Sequence, residues 1–300
     1  MKPAIYLAKM LSLVLLLAAC SKKNDSTPEP PPPPPATQND IAALNTKVQT
    51  FMTTYNVPGA SLAVSKNGKL VYIKGFGNAD NTTSEKVTPA HRFRLASVSK
   101  TFTGIAIMKL VQAGSVTLDQ KVFGTGAILG TQYGTLAYST NVKNITVKQL
   151  LQHTAGGWGF QQWVAILLIR TRRMAMRSSL GWVLDNKPVN NTPGTKYDYS
   201  NMGYFILGRI IEKISGKSYI NFIKEDIMGA VGGTKTDAAG KTLADIKTDE
   251  VKYYGQGADA TYVYNMAITR RDADGGLITT ATELLKLINA VMVLLPGPIS

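Results

Sequence analysis

From Asp40 onward, apolar residues recur at intervals of three and four: Ile41, Leu44, Val48, Phe51, Met52 and Tyr55. That spacing predicts a helix with one apolar face. The pattern changes in GASLAVSKNGKLVYIKGFG, where two apolar-rich runs flank Asn67-Gly68. Asn-Gly favours the positive-φ pair of a tight turn, so this stretch predicts a β-hairpin. From Ser97 to Val111 the run is apolar almost all round, which predicts a buried helix, with Gly114 placed to end it. TVKQLLQHTAGG reads as a short helix and a glycine turn. TPGTKYDYSNMGYFILGRIIEKISG reads as a loop followed by a helix with Tyr204, Leu207, Ile211 and Ile214 on one side. A second helix is expected from Ser218. Thr280 and Glu283 have the spacing of a capping box ahead of Leu284, Leu285, Leu287 and Ile288. Strands are expected only near the start of this region.

One window breaks the pattern. FQQWVAILLIRTRRMAMRSSLGW, residues 160–182, holds Arg170, Arg172, Arg173 and Arg177, no acid, and a bare apolar run. Basic and apolar residues together suit a membrane interface. A local reading-frame error is the expectation preferred here, because the stretches on both sides are orderly.

Composition supports a folded chain: 44% hydrophobic and 17% charged residues over 300 positions can build a sizeable core. A net charge of +14 raises nucleic-acid binding as a candidate. The sequence has no basic stripe interleaved with aromatics, no helix-turn-helix and no zinc-finger pattern. Much of the excess is local, at Lys2, Lys9, Lys22, Lys23 and the four arginines, so no nucleic-acid partner is expected.

The first residues carry a different message. MKPAIYLAKMLSLVLLLAAC has a basic start and a short apolar run ending in small residues, the pattern of a secretory signal over 1–20. Its last residue, Cys20, is the chain's one cysteine. This stretch resembles the lipobox of bacterial lipoproteins, which implies lipidation at Cys20 and attachment to a bilayer by lipid. The expected location is the bacterial cell envelope, outside the cytoplasm, in the periplasm or at the outer membrane. Six prolines, Pro30 to Pro35, then make residues 21–38 an extended spacer. The folded domain is expected over 39–300. One cysteine excludes an internal disulfide and a cysteine-cluster metal site. No metal or cofactor is expected.

Candidate chemistry starts at Ser97 and Lys100, three residues apart and so on one side of a helical turn. A serine at a helix start is favoured by the dipole when its oxygen becomes negative. A lysine in a dry site can activate that hydroxyl. The pair alone is weak, because serine and lysine are common. Tyr199 and Asn201 form a second element after the Pro193-Gly194 loop. A tyrosine can share proton transfer, and an asparagine can orient the lysine or hold a substrate amide. Tyr219 and Asn221 repeat the spacing inside a predicted helix; loop placement favours the first pair.

Four blocks occur in one order: FRLASVSKTFTGIAIMKLVQAG, LLQHTAGG, PGTKYDYSNMGYFILGRIIEKISGKSY and ADGGLITTATELLKL. In that order the chain resembles the serine beta-lactamase-related family, which groups class C beta-lactamases, D-alanyl-D-alanine carboxypeptidases and related esterases. The likeness runs from about Asn39 to Leu287. It implies an α+β, beta-lactamase/transpeptidase-like fold, with a helical region packed on an antiparallel sheet. It implies Ser97 as acyl-accepting nucleophile, Lys100 as its base, Tyr199 as a second proton-transfer group and Asn201 as an orienting residue. The backbone N–H of Ser97 would donate to the oxyanion. His91 and His153 receive no catalytic role, and Asp272–Gly276 is expected to be a turn and packing element.

The chain departs from the family in one respect. Family members carry a Lys-Thr-Gly or His-x-Gly element on a strand beside the site, and after Asn201 this sequence has neither. The resemblance therefore implies a C-terminally incomplete domain, with sheet strands missing and the hairpin edge left unpaired. The expectation is a serine hydrolase acting through an acyl-enzyme on a beta-lactam, a D-Ala-terminated peptide or a small ester. The competing expectation is an inactive, lipid-anchored binding protein or truncated product of the same family.

Overall fold

The computed structural model describes residues 41–159, 176–240, 242–255, 262–264 and 271–293. The signal segment, Cys20 and the proline spacer lie outside the described residues, as does 160–175, which holds most of the window assigned to a frame error. Its remainder, 176–182, opens helix α5 (Met176–Asn186), with Leu180 fully buried.

Helix α1 (Ala42–Thr54) forms where the apolar spacing places it. Leu44, Val48 and Met52 are half-buried on one side, whereas Ile41, Phe51 and Tyr55 are exposed. Tyr72 Oη donates to Asn45 Oδ1 at 2.5 Å and ties α1 to the hairpin. That hairpin is β1 (Gly59–Lys66) and β2 (Lys69–Asp80), antiparallel from Gly59 opposite Gly77 to Lys66 opposite Lys69. Asn67 (φ 52°) and Gly68 (φ 73°) make the expected turn. A short β3 (Glu85–Lys86) pairs with β2, so β1 is an outer strand of its sheet, β1-β2-β3.

The helical body follows. A 3-10 turn (Ala96–Val98) leads into α2 (Ser99–Gln112), so Ser97 precedes the α-helix, contrary to the expected start. Phe102, Ala106 and Ile107 are fully buried, but Thr101, Met108, Lys109 and Gln112 face solvent. The run that looked apolar all round therefore buries only one side. Small helices α3 (Thr140–Asn144) and α4 (Val147–Leu151) come next, the latter under a Thr146–Gln149 capping box. Helix α6 (Asn201–Ser215) crosses the core with Phe205, Ile206, Ile210 and Ile211 buried. Burying each such side chain contributes roughly 1.5–3 kcal/mol. The helix expected from Ser218 is one α-turn, α7 (Tyr219–Asn221), that widens into a π-helix over Phe222–Met228.

Strands are not confined to the N-terminal side. β4 (Phe93–Arg94), β5 (Asp237–Ala238) and β6 (Leu277–Thr279) form a second antiparallel sheet in the order β4-β6-β5. Before β6 comes a helical turn, α8 (Asp272–Gly275), and after it α9 (Ala281–Val293). Thr280 Oγ1 accepts from the Glu283 N–H at 3.2 Å, which is half of the expected capping box. The Glu283 carboxylate goes elsewhere: it accepts from the Thr234 and Lys235 N–H groups and from Thr236 and Thr279 Oγ1. Helix α9 docks on the first sheet, where Ser65 Oγ donates to Asn289 Oδ1 at 2.8 Å and Asn289 Nδ2 donates to Gly68 O at 3.1 Å.

Gly208 brings α6 against α8. A Cβ there would lie 2.6 Å from Ala273 Cβ. Gly208→Ala is expected to destabilise the chain by about 1–3 kcal/mol through overpacking. Urea unfolding measures this, and an unchanged midpoint would show that the close approach is not needed.

Candidate active site

Three stretches far apart in sequence converge on the amine of Lys100. Its Nζ donates to Asn201 Oδ1 at 2.7 Å, to Asp274 O at 2.5 Å and to Ser97 Oγ at 3.4 Å. An ammonium has three donors, and three acceptors surround it. The rings of Tyr199 and Tyr204 flank the same nitrogen at 4.9 and 5.6 Å from their centroids. Lys100 is 7% exposed and Asn201 3%. Ser97, by contrast, lies open to solvent. Tyr199 Oη stands 2.8 Å from Ser97 Oγ. The four residues singled out in the sequence are thus brought together. The structure leaves Tyr219 apart: it is fully buried and its Oη pairs with Thr103 Oγ1 at 2.7 Å. Its phenol is pushed well above the usual range, first by burial.

Local structure explains each position. Ala96, just before Ser97, takes φ 45°, a left-handed conformation that costs an L-residue about 1–3 kcal/mol. The neighbouring backbone holds it there: Leu95 N–H donates to Leu277 O at 2.9 Å and Val98 N–H to Leu95 O at 3.0 Å. The turn lifts Ser97 out of the helix while Lys100, a turn later, points inward. Asn201 opens α6 because Ser200 caps it, with Ser200 Oγ accepting from the Gly203 N–H at 3.0 Å. Ser200 Oγ also donates to Trp158 O at 2.8 Å, and its N–H donates to His153 Nδ1 at 3.0 Å. One cap residue therefore fixes Tyr199 on one side and Asn201 on the other.

The turn over 272–275 does more than pack. Asp272 accepts from Arg209 Nη2 at 2.6 Å, Ala273 O accepts from Thr103 Oγ1 at 2.6 Å, and Asp274 O accepts from Lys100. The Asp274 carboxylate is fully buried; Arg271 donates to its Oδ2 at 2.9 and 3.0 Å, while Oδ1 has no hydrogen-bond partner among the described residues. Burial pushes this carboxyl up to about 6, against the opposing pull of Arg271 and Lys100. Sequence reasoning assigned no part in the site to Ser200, His153 or Asp274. The Ser-Asn start of an apolar helix was an available capping signal for the first. Among the described residues no cluster of three His, Cys, Asp or Glu is placed to hold a metal.

An exposed serine beside a tyrosine and a buried lysine, set on a helical body with small antiparallel sheets, is the arrangement that the resemblance to the serine beta-lactamase-related family implies. The family model described as Beta-lactamase matches residues 44–299. The chain belongs to the Beta-lactamase family. Among curated relatives it is 29% identical over 252 residues to "Protein flp" of Staphylococcus aureus (strain COL), covering 83% of this chain and 48% of that protein. It is 30% identical over 223 residues to "Penicillin-binding protein 4*" of Bacillus subtilis (strain 168), covering 72% and 46%. The chain thus spans about half the length of the curated relatives it matches. A solved class C beta-lactamase superposes with a TM-score of 0.68 at 25% identity, covering 85% of this chain and 65% of that one. The octameric penicillin-binding protein homologue from Pyrococcus abyssi gives a TM-score of 0.67 at 25% identity, covering 85% and 56%. The fold is α+β and beta-lactamase/transpeptidase-like, as the resemblance implied.

Asp274 gives the site a pH signature. Its proton is held more tightly folded than unfolded, so its contribution to stability is full below the unfolded value of 3.8 and is lost as pH rises through about 6. Asp274→Asn removes this dependence. The stability difference, variant minus wild type, is expected to rise across that window in urea titrations; a difference that stays flat with pH would refute it.

Proposed function

We propose that this chain is a serine hydrolase that works through an acyl-enzyme on Ser97. The observation that carries the reading is the placement of Tyr199 Oη 2.8 Å from Ser97 Oγ, with Lys100 3.4 Å from the same oxygen and anchored from behind. In the reacting form the Lys100–Tyr199 pair is one proton short; Ser97 Oγ attacks an acyl carbon, its proton passes to the vacant position of the pair, and the C–O bond forms as the C=O π electrons move onto the carbonyl oxygen. The Ser97 N–H, in the 3-10 turn ahead of α2, stabilises the oxyanion, a donor of a kind worth about 2.7–4 kcal/mol in the barrier. The bond to the leaving group then breaks, and the leaving atom takes the proton back from the pair. Water hydrolyses the ester by the same route in reverse and restores Ser97. Asn201 fixes the lysine by accepting from it, which leaves its amide N–H₂ for a substrate carbonyl.

The substrate class is a carboxylic acyl group: a beta-lactam, a D-Ala-terminated peptide or a small ester. Its support is the family itself and the kinship with a penicillin-binding protein. A fluorescent penicillin and a fluorophosphonate probe test this on the full chain. Wild type is expected to take one covalent label, Ser97→Ala none, and Tyr199→Phe to acylate on the order of 10²–10⁴-fold more slowly. An unlabelled wild type of native fold would favour the non-catalytic binding reading instead.

The same reading keeps the domain at the cell envelope on a lipid carried by Cys20, supported by the LLAAC stretch and the proline spacer behind it. Bacterial cells fed an alkyne fatty acid should label the wild-type chain and not Cys20→Ser. Equal labelling of both, or of neither, would refute the anchor.

A further inference from the structure

The His-Thr-Ala-Gly-Gly stretch, residues 153–157, has no part in the chemistry proposed above, yet it lies directly against it. His153 holds a left-handed backbone, φ 59°. Its carbonyl accepts from the Asp198 N–H at 2.8 Å, and its Nδ1 accepts from the Ser200 N–H at 3.0 Å. These two bonds bracket Tyr199 in the sequence. The imidazole also lies on the Tyr199 ring, with centroids 4.6 Å apart and planes at 32°, and on the Tyr204 ring at 5.1 Å and 33°. Tyr199 is therefore fixed through its backbone on both sides and through its ring face by one residue.

We infer that His153 is the positioning residue for Tyr199: in its neutral, Nε2-protonated form it holds the phenol oxygen against Ser97. This role rests on the acyl-transfer reading. The tautomer follows from the geometry, because a ring nitrogen that accepts from an amide N–H carries no proton of its own. Among the described residues, the titratable groups facing the ring are Lys100 on α2, Tyr197 and Tyr199 on the loop, and Tyr204 on α6. Burial, then the charge of Lys100, draws the imidazole below its ordinary value. A proton added at Nδ1 breaks the Ser200 bond and sets a cation against the Tyr199 ring and Lys100. Acylation at Ser97 then falls as His153 becomes charged, while the overall fold is kept.

The test measures the rate of fluorophosphonate labelling against pH for the full-length wild type, His153→Ala and His153→Asn. Asparagine tolerates a positive φ and offers an acceptor oxygen in place of Nδ1. His153→Ala is expected to label on the order of 10- to 100-fold more slowly at neutral pH while remaining folded, with a lowered thermal midpoint that lies above the assay temperature. His153→Asn should recover much of that rate and lose the acid limb that wild type shows. Nitrogen-15 histidine spectra of wild type add a readout that needs no activity. The chain has two histidines, and His153→Asn assigns the signals. The His153 Nδ1 should appear as an unprotonated acceptor at neutral pH. A labelled wild type whose rate and pH profile match those of His153→Ala would overturn the role and leave the acyl-transfer reading standing. A proton found on Nδ1 at neutral pH would do the same. Failure of wild type itself to label would sink the acyl-transfer reading and this role with it.

Discussion

A lysine amine cannot stay out of water unless its donors are met, since a buried unpaired ion costs several kcal/mol. Lys100 meets that constraint with acceptors drawn from the turn before its own helix, the first residue of α6 and the backbone of the 272–275 turn. The rest of the helical body can be seen as what keeps these pieces in register. Gly208 lets α6 reach the last turn, Arg209 grips Asp272, and Thr103 holds Ala273 O. None of these touches Ser97, but each fixes a wall of the lysine's cage.

The site also separates two opposed needs. An attacking oxygen must meet substrate, and its proton partner works best where water does not compete. The 3-10 turn places these needs three residues apart: Ser97 on the surface, Lys100 beneath it. The strained Ala96 belongs to that arrangement, because a regular helix start would have turned the serine differently.

Much of this was legible before any coordinates. Ser97, Lys100, Tyr199 and Asn201 are side-chain roles, and side chains are what a motif records. The partners that escaped notice act through other means. Asp274 receives Lys100 on its main-chain oxygen, which every residue possesses and no residue type announces. His153 acts through ring contacts made possible by a left-handed backbone, a conformation its residue type only weakly favours. Strands β4, β5 and β6 have two or three residues each, too short for alternation to show. Glu283 had the right spacing for one job and does another, because the N–H groups of Thr234 and Lys235 needed an acceptor that sequence distance concealed.

The order β4-β6-β5 has a consequence for how the molecule comes into being. Its middle strand is the last of the three in the chain, about 180 residues after the first. During synthesis β4 and β5 precede the strand that both of them pair with, residues 277–279. The same late segment carries the oxygen that completes the cage of Lys100. A nascent chain must therefore carry an unpaired β4 edge and an incompletely caged lysine over the roughly 180 residues made between β4 and β6, an interval in which open strand edges favour aggregation.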